Sequence, residues 1–251
     1  MVANVSFVNV RKNKIYSMKT QLRLITILAF VAAIQTASAA DITGTITLKG
    51  TPPPEKDLPL TPECGAMHKS PIKTRFYAVQ GDKLADVVVV IKGVAAKSTG
   101  ASAAPLMVDQ VGCEYIPYVG AVQTGQKIQV KNSDPFMHNV HPIPAVAGNP
   151  EANKAQMAKA PDLIFAFEKP EPFLKFKCDV HPWMFSYISV FDHPYFAVTG
   201  KDGSFKIANV PAGKYTIEAY HRKAAPIGSP VTKEIEVKDA AVTADLTLEV
   251  K

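Results

Sequence analysis

Residues 173–184, FLKFKCDVHPWM, place three soft donor atoms within seven residues. The donors are the thiol of Cys178, the imidazole of His181 and the thioether of Met184. Apolar and lysine residues alternate up to Cys178, a period of two that is typical of a strand with one buried face. We therefore predict a strand that ends at Cys178 and a loop that folds back, so that all three side chains reach one metal ion.

A second imidazole comes from residues 132–141, NSDPFMHNVH, where His138 lies at a predicted turn before a strand. Two imidazoles, a thiolate and a long axial thioether are the ligands of a blue-copper electron-transfer site. The sequence thus predicts one type 1 copper held by His138, Cys178, His181 and Met184. His141 is three residues beyond His138 and is expected to face the other side of the strand, outside the ligand set.

The segments NSDPFMHNV, CDVHPWM and YISVF together resemble the cupredoxin family, and the short loop with Pro182 is most similar to the amicyanin type. The resemblance covers roughly residues 103–192 and implies a Greek-key barrel. It further implies that Asn139 joins the two ligand loops by hydrogen bonds. It also makes His181 the port for electrons, inside an apolar docking patch formed by Phe136, Met137, Pro182 and Trp183.

Other metal sites fit the sequence less well. Zinc sites also use a Cys and a His two residues apart, but they normally take a closed set of Cys and His without Met. A binuclear copper centre would need a second Cys in the loop. Met184 can instead be a core residue with a carboxylate as the axial donor. A copper oxidase or nitrite reductase would need a further catalytic metal, and the chain has only six histidines, so we expect no enzyme.

The remaining sequence predicts an all-β protein, because short alternating or β-branched runs are separated by turn residues. Residues 202–221, DGSFKIANVPAGKYTIEAYH, resemble the carboxypeptidase regulatory-like β-sandwich, an Ig-like or transthyretin-like module. We predict that residues 41–98 and 193–251 form this sandwich and that the copper domain, 99–192, is inserted into it. A serial order of the two domains is the alternative.

Two shorter segments complete this prediction. Residues 151–160, EANKAQMAKA, have a helical pattern, and the small and polar residues 96–105 are typical of a linker. Whether residues 144–162 cover the copper site is left open. His221 lies on the predicted buried face of its strand, as a hydrogen-bonded core histidine.

The first forty residues have the pattern of a signal peptide. A basic stretch precedes the apolar run 24–34, and ASAA at 37–40 provides a cleavage site. The run is too short to span a bilayer, and Met18 is an alternative start. Without residues 1–40, which hold five basic and no acidic residues, 28 − 5 = 23 basic residues face 22 acidic ones. That balance gives no basic stripe for nucleic acid.

Export would place the chain in an oxidising compartment, the periplasm or the extracellular space, where cysteines tend to pair. Cys64 and Cys113 can then form a disulfide that leaves Cys178 free. A second, weaker copper site near His68, beside Cys64 and Met67, is an alternative use of Cys64.

The resemblance implies a one-electron carrier whose partner is a redox protein such as a c-type cytochrome or a periplasmic dehydrogenase. No stable membrane span is expected after cleavage, and the oligomeric state is open. The alternative function is copper delivery or a structural role in the cell envelope, without electron transfer. A carrier should show a thiolate-to-copper band in the visible spectrum, whereas a Cu(I) chaperone should not.

Overall fold

In the described residues the strands begin at Ala39, and the regular secondary structure beyond that point is almost entirely β. The computed structural model describes Met1 and residues 38–251, so the predicted signal peptide lies outside the described residues except at Met1 and at its last three positions. From residue 38 onward the described residues form one compact unit. None of their helices is both long and apolar enough to cross a membrane.

Within the described residues there is one four-residue helix, α1 (Pro62–Gly65), and one 3-10 turn, Gly100–Ser102. In chain order the strands are β1 (Ala39–Lys49), β2 (Val79–Gln80), β3 (Lys83–Leu84), β4 (Val88–Lys92), β5 (Leu106–Val111), β6 (Glu114–Ile116), β7 (Val119–Gln123), β8 (Ile128–Asn132), β9 (His138–Ile143), β10 (Lys154–Gln156), β11 (Leu163–Phe165), β12 (Glu171–Lys177), β13 (Phe185–Phe191), β14 (Phe196–Val198), β15 (Ser204–Pro211), β16 (Gly213–Tyr220), β17 (Val231–Val237), β18 (Val242–Thr243) and β19 (Leu246–Glu249). The prediction of an all-β protein is confirmed.

The first core lies between two sheets built from both ends of the described chain. One sheet has the order β15-β1-β3-β2, with β18 and β19 also paired to β1, and the other has the order β14-β4-β16-β17. The alternating residues of β1 bury Ile42, Ile46 and Leu48, as a half-buried strand requires. Strand β4 is central in its sheet and buries four residues in succession, which explains its unbroken β-branched sequence.

The second core lies between the sheets β10-β9-β12-β13-β7 and β11-β8-β5-β6. Strand β12 turns Leu174 and Phe176 inward and Lys175 and Lys177 outward. It pairs antiparallel with β9 on one side and with β13 on the other. This arrangement brings the chain that follows β12 beside the beginning of β9.

The division of the chain between the two cores is not strictly sequential. Apolar residues from 40–48, 77–91 and 205–248 form the first core, and residues from 108–140 and 165–190 form most of the second. Between β1 and β2, however, the chain crosses to the second core, where Cys64 is buried and Leu60 packs. A disulfide between Cys64 and Cys113 fixes this crossing segment, so the predicted bridge is confirmed.

Of the two local predictions, the helix is wrong and the linker is confirmed. Residues 151–160 contain no helix, because β10 pairs with β9 and places Gln156 opposite His138. The buried amide of Gln156 donates to the Val130 carbonyl at 3.0 Å, and this tertiary hydrogen bond outweighs local helix propensity. Residues 96–105 contain no strand and join β4 of the first core to β5 of the second, as predicted for a linker, and Gly100 in the 3-10 turn is buried against the backbone of Thr124.

Candidate metal centre

The four predicted ligands are placed by three neighbouring elements. His138 is the first residue of β9, Cys178 directly follows β12, and His181 and Met184 lie in the loop before β13. The loop closes on itself through two backbone hydrogen bonds. The amide of Met184 donates to the His181 carbonyl at 2.9 Å, and the amide of Cys178 donates to the Met184 carbonyl at 3.2 Å. The folded-back loop expected from the sequence is present.

Three of the four ligand side chains converge in a buried pocket. The Nδ1 atoms of His138 and His181 are 2.9 Å apart, and Sγ of Cys178 is 3.7 Å from Nδ1 of His181. The ligand atoms of all three residues lie within 4.8 Å of one another. Met184 is 1% exposed and belongs to the same core. Two imidazoles and a thiol that face one another away from solvent are a donor set for a soft transition metal.

Asp134 fixes the ring of His138. Its carboxylate accepts a hydrogen bond from Nε2 of His138 at 2.8 Å and two more from the backbone amides of Gly112 and Cys113, at 2.6 and 2.8 Å. Burial raises the pKa of Asp134, but these three hydrogen bonds outweigh it and the pKa lies below its ordinary value. A carboxylate on the second nitrogen of an imidazole leaves Nδ1 free for a metal and holds the ring in place.

The thiol of Cys178 is in an environment that favours the thiolate. Burial raises the pKa of Cys178. Hydrogen bonds from His138 and from backbone amides, including that of Asn139, lower it by more, so the pKa lies below its ordinary value. The amide of Asn139 is 3.5 Å from Sγ. Since metals bind the thiolate, this environment lowers the cost of loading a cation.

Asn139 also joins the two segments that carry the ligands. Its Oδ1 accepts a hydrogen bond from the amide of Asp179 at 2.5 Å, and its Nδ2 donates to the Asp179 carboxylate at 3.1 Å. The loop after Cys178 is therefore tied to β9 by side-chain contacts as well as by strand pairing. Such outer contacts hold the ligands in one orientation.

His141 belongs to a separate, half-exposed cluster. Its Nδ1 is 2.8 Å from the Asp179 carboxylate and its Nε2 is 2.8 Å from that of Glu151. Both ring nitrogens are thus occupied outside the pocket. The hydrogen bond to Glu151 raises the pKa of His141, with a further contribution from Asp179.

Aromatic side chains surround the imidazole of His181. The ring centroids of Trp183 and Phe136 are 5.3 and 6.1 Å from that of His181. Of the four predicted docking residues, Pro182 is exposed, whereas Phe136, Met137 and Trp183 are half-buried. The indole of Trp183 donates to the Cys113 carbonyl at 3.1 Å, which connects the docking patch to the disulfide.

The disulfide lies unexpectedly close to the pocket. The sulfur atoms of Cys64 and Cys113 are within 4.8 Å of a ring nitrogen of His181. The chain around α1 therefore lies beside His181, which is 7% exposed. Nε2 of His68 donates a hydrogen bond to the Gly112 carbonyl at 2.7 Å, and Cys64 is oxidised, so the structure does not support a second copper site at His68.

Sequence reasoning missed Asp134 and Tyr115. Asp134 lies four residues before His138 in the segment that supplied this ligand, and an acidic residue near a predicted ligand was the available signal. The buried hydroxyl of Tyr115 donates to the Asn139 carbonyl at 2.7 Å. No feature of the sequence near Tyr115 connects it to β9.

No model of a protein family matches the chain, and no curated protein matches it. Solved structures similar to part of it include the Cu-containing nitrite reductase from Thermus scotoductus SA-01, with a TM-score of 0.32 and 23% identity. That match covers 41% of this chain and 25% of the reductase. Two mutants of amicyanin, one reduced and one oxidised, match with TM-scores of 0.31 and 0.32 and identities of 22% and 19%. Each covers 41% of this chain and 97% of amicyanin.

Proposed function

We propose that this protein is an exported type 1 copper protein that carries single electrons to or from a redox partner. The observation that supports the proposal is the convergence of His138, Cys178 and His181 in one buried pocket, with Met184 in the same core. We propose these four residues as the ligands of one copper ion.

The residues fit copper by their chemistry. Thiolate and thioether favour Cu(I), and imidazole serves both Cu(I) and Cu(II). When bound, copper would supply a one-electron couple between these two states. The chain contributes rigidity, because Asp134 holds the ring of His138 and Asn139 holds the loop that follows Cys178. Ligands that move little between redox states keep the reorganisation small, which an electron carrier needs.

The proposed partner is a c-type cytochrome or a periplasmic dehydrogenase. Weak redox encounters use small interfaces, and exposed apolar residues mark them. The ring contacts of Trp183 and Phe136 with His181 support docking at the patch of Phe136, Met137, Pro182 and Trp183. The disulfide is consistent with an oxidising compartment such as the periplasm. We also propose that residues 41–98 and 193–251 form a non-catalytic scaffold around the inserted copper domain, 99–192.

The test is spectroscopic. The copper-loaded protein should show an intense thiolate-to-copper band in the visible and a type 1 EPR signal, and both should disappear in Cys178→Ser. His138→Gln should also lose them. The matched control His141→Gln, three residues along the same strand, should keep them.

Two outcomes would contradict the proposal. A visible band that persists in Cys178→Ser would remove the thiolate from the site. A wild-type protein that binds Cu(I) without a band on oxidation, and gives it up to an acceptor, would favour copper delivery instead.

A further inference from the structure

Beside the docking patch, three cations lie on three aromatic rings at the surface. Nζ of Lys175 is 4.2 Å from the ring centroid of Phe185, Cζ of Arg222 is 3.4 Å from that of Tyr187, and Nζ of Lys223 is 4.4 Å from that of Phe76. We call these six residues the cation–aromatic surface. The negative face of an aromatic ring attracts a cation, so contacts of this kind hold long side chains in place.

The strand register of the second core creates this surface. Lys175 lies opposite Tyr187 and Lys177 opposite Phe185 in the β12–β13 pair, with all four side chains on the outer face. Arg222 and Lys223 follow β16 of the first core. Arg222 lies over Tyr187 on this face, and Lys223 lies over Phe76, which lines the same cavity as Phe185. The surface therefore joins residues of both cores within one compact unit.

In the described residues no carboxylate lies within salt-bridge distance of these cations, but Asp86 is near enough that Arg222, like Arg75, opposes the rise in its pKa that burial causes. Among residues 38–251, Lys175, Arg222 and Lys223 form no salt bridge, whereas neighbouring Lys177 pairs with Asp179. Arg75, which lies over the ring of Tyr118, is 3.8 Å from both Asp86 and Glu114. Burial, with repulsion from Lys177 and Arg222, lowers the pKa of Lys175. Like charges held together in this way favour the approach of an anion.

The surface is close to the candidate metal centre. Phe185 directly follows Met184 in the chain, and a cavity of about 110 Å³ is lined by Trp183, Met184 and Phe185 together. Trp183 thus lines a cavity with Phe185 and has its ring centroid 5.3 Å from that of His181. A protein seated on this surface would also reach the edge of the apolar docking patch.

We propose that the cation–aromatic surface binds an acidic face of the redox partner protein and steers it to the docking patch. This inference rests on the proposed function and adds the charge of the partner and the face that receives it. Side chains that are already held in place lose little conformational entropy when a partner binds. Arg and Tyr are also enriched among the interface residues that contribute most of the binding energy. Complementary charge chiefly accelerates association.

The test compares two double variants that change the net charge equally. Lys175→Glu/Lys223→Glu alters the cation–aromatic surface. Lys127→Glu/Lys169→Glu alters two exposed lysines elsewhere in the proposed copper domain, 99–192. Electron transfer between each copper-loaded protein and two probes, an acidic and a basic c-type cytochrome, is followed by stopped flow at low and high salt.

At low ionic strength we expect the surface variant to react about 10-fold or more slowly with the acidic cytochrome, and faster with the basic one. The control variant should stay within about two-fold of the wild type, and salt should remove the difference. If both double variants slow the acidic cytochrome alike, only net charge matters and the proposal is wrong. It is also wrong if the surface variant reacts like the wild type.

An NMR titration of the copper-free protein with the acidic cytochrome separates this proposal from the copper assignment. Shifts centred on Phe185, Tyr187 and Arg222 support the surface even if no visible band forms with copper. If the copper-loaded protein shows the visible band but the NMR shifts are confined to other regions, the proposal for the cation–aromatic surface is wrong and the copper assignment stands. Shifts at these residues that grow with the protein's own concentration would assign the surface to a second copy and overturn the partner.

Discussion

The two cores of this protein bury different kinds of side chains. The first core is aliphatic and aromatic, and few buried polar side chains lie beside it: the ring of His221 is 5.4 Å from that of Tyr77, and the Thr199 hydroxyl donates to the Leu84 carbonyl at 2.9 Å. In the second, a group of buried polar residues gathers at one end, beside the free thiol of Cys178. The group consists of Gln110, Asn132, Asp134, His138, Asn139, Gln156 and His181.

The difference shows where the fold serves a purpose other than stability. Burial of a polar group is unfavourable unless hydrogen bonds replace those it made with water. In the second core Asn132 donates to the carbonyls of Phe136 and Gln156, both at 2.9 Å, and thereby shapes the turn before His138. The polar group holds two imidazoles and a thiol in contact, which supports a binding role for this end.

Removing the disulfide should have the largest effect and should separate the two cores. The bond closes a loop of 49 residues, for which chain entropy predicts about 4 kcal/mol of stability. Trp183, the single tryptophan, lies in the second core, so its fluorescence reports that core, whereas far-UV circular dichroism reports the strands of both. In Cys64→Ala/Cys113→Ala we expect the fluorescence transition to move to lower denaturant than the dichroism transition.

Cys178→Ser is the control, because it removes a thiol from the same core and keeps the disulfide. Its two transitions should stay together. If the fluorescence and dichroism transitions of the double alanine variant coincide at a lower midpoint, the two cores unfold together. The difference between their buried side chains would then not be matched by a difference in their stabilities.

The buried imidazole of the first core should make that core sensitive to acid. Burial lowers the pKa of His221 to about 4, from 6.5 in the unfolded chain, and Nδ1 accepts a hydrogen bond from the Ala224 amide at 3.0 Å. Below pH 6.5 the unfolded state binds the proton first, so stability falls until the pH reaches about 4. The shift corresponds to about 3 kcal/mol.

Urea denaturation of His221→Gln at pH 7 and pH 4 tests this effect. The variant is expected to lose less stability than the wild type between the two pH values, because glutamine does not titrate and its oxygen can accept the Ala224 amide. Equal losses would mean that His221 does not control the acid sensitivity of the first core.

The sequence predicted the features that depend on local patterns. Alternation in β1 and β12 identified half-buried strands, and the antiparallel pairing of β9 with β12 brings His138 to Cys178, as the resemblance implied. Features that depend on long-range packing were not predictable. Residues 151–160 have a helical composition, yet Gln156 enters a buried hydrogen-bond network and pairs with His138. The position of the disulfide beside His181 depends on where α1 packs, and no local pattern specifies that.

Replacing Asp134, a member of the buried polar group, should have the smallest effect of these changes. It tests whether this group is arranged to hold a metal. In Asp134→Asn the ring of His138 loses its charged partner, and we expect copper affinity to fall by about 10- to 100-fold, as measured by competition with a Cu(I) chelator. Asp109→Asn is the matched control, because Asp109 bonds Ser133 at the surface nearby and does not contact the pocket. Equal affinities in the two variants would show that the polar end holds its shape without Asp134. The buried polar group would then differ from the first core only in how its side chains pack, because the Asp134 carboxylate would not orient a ligand.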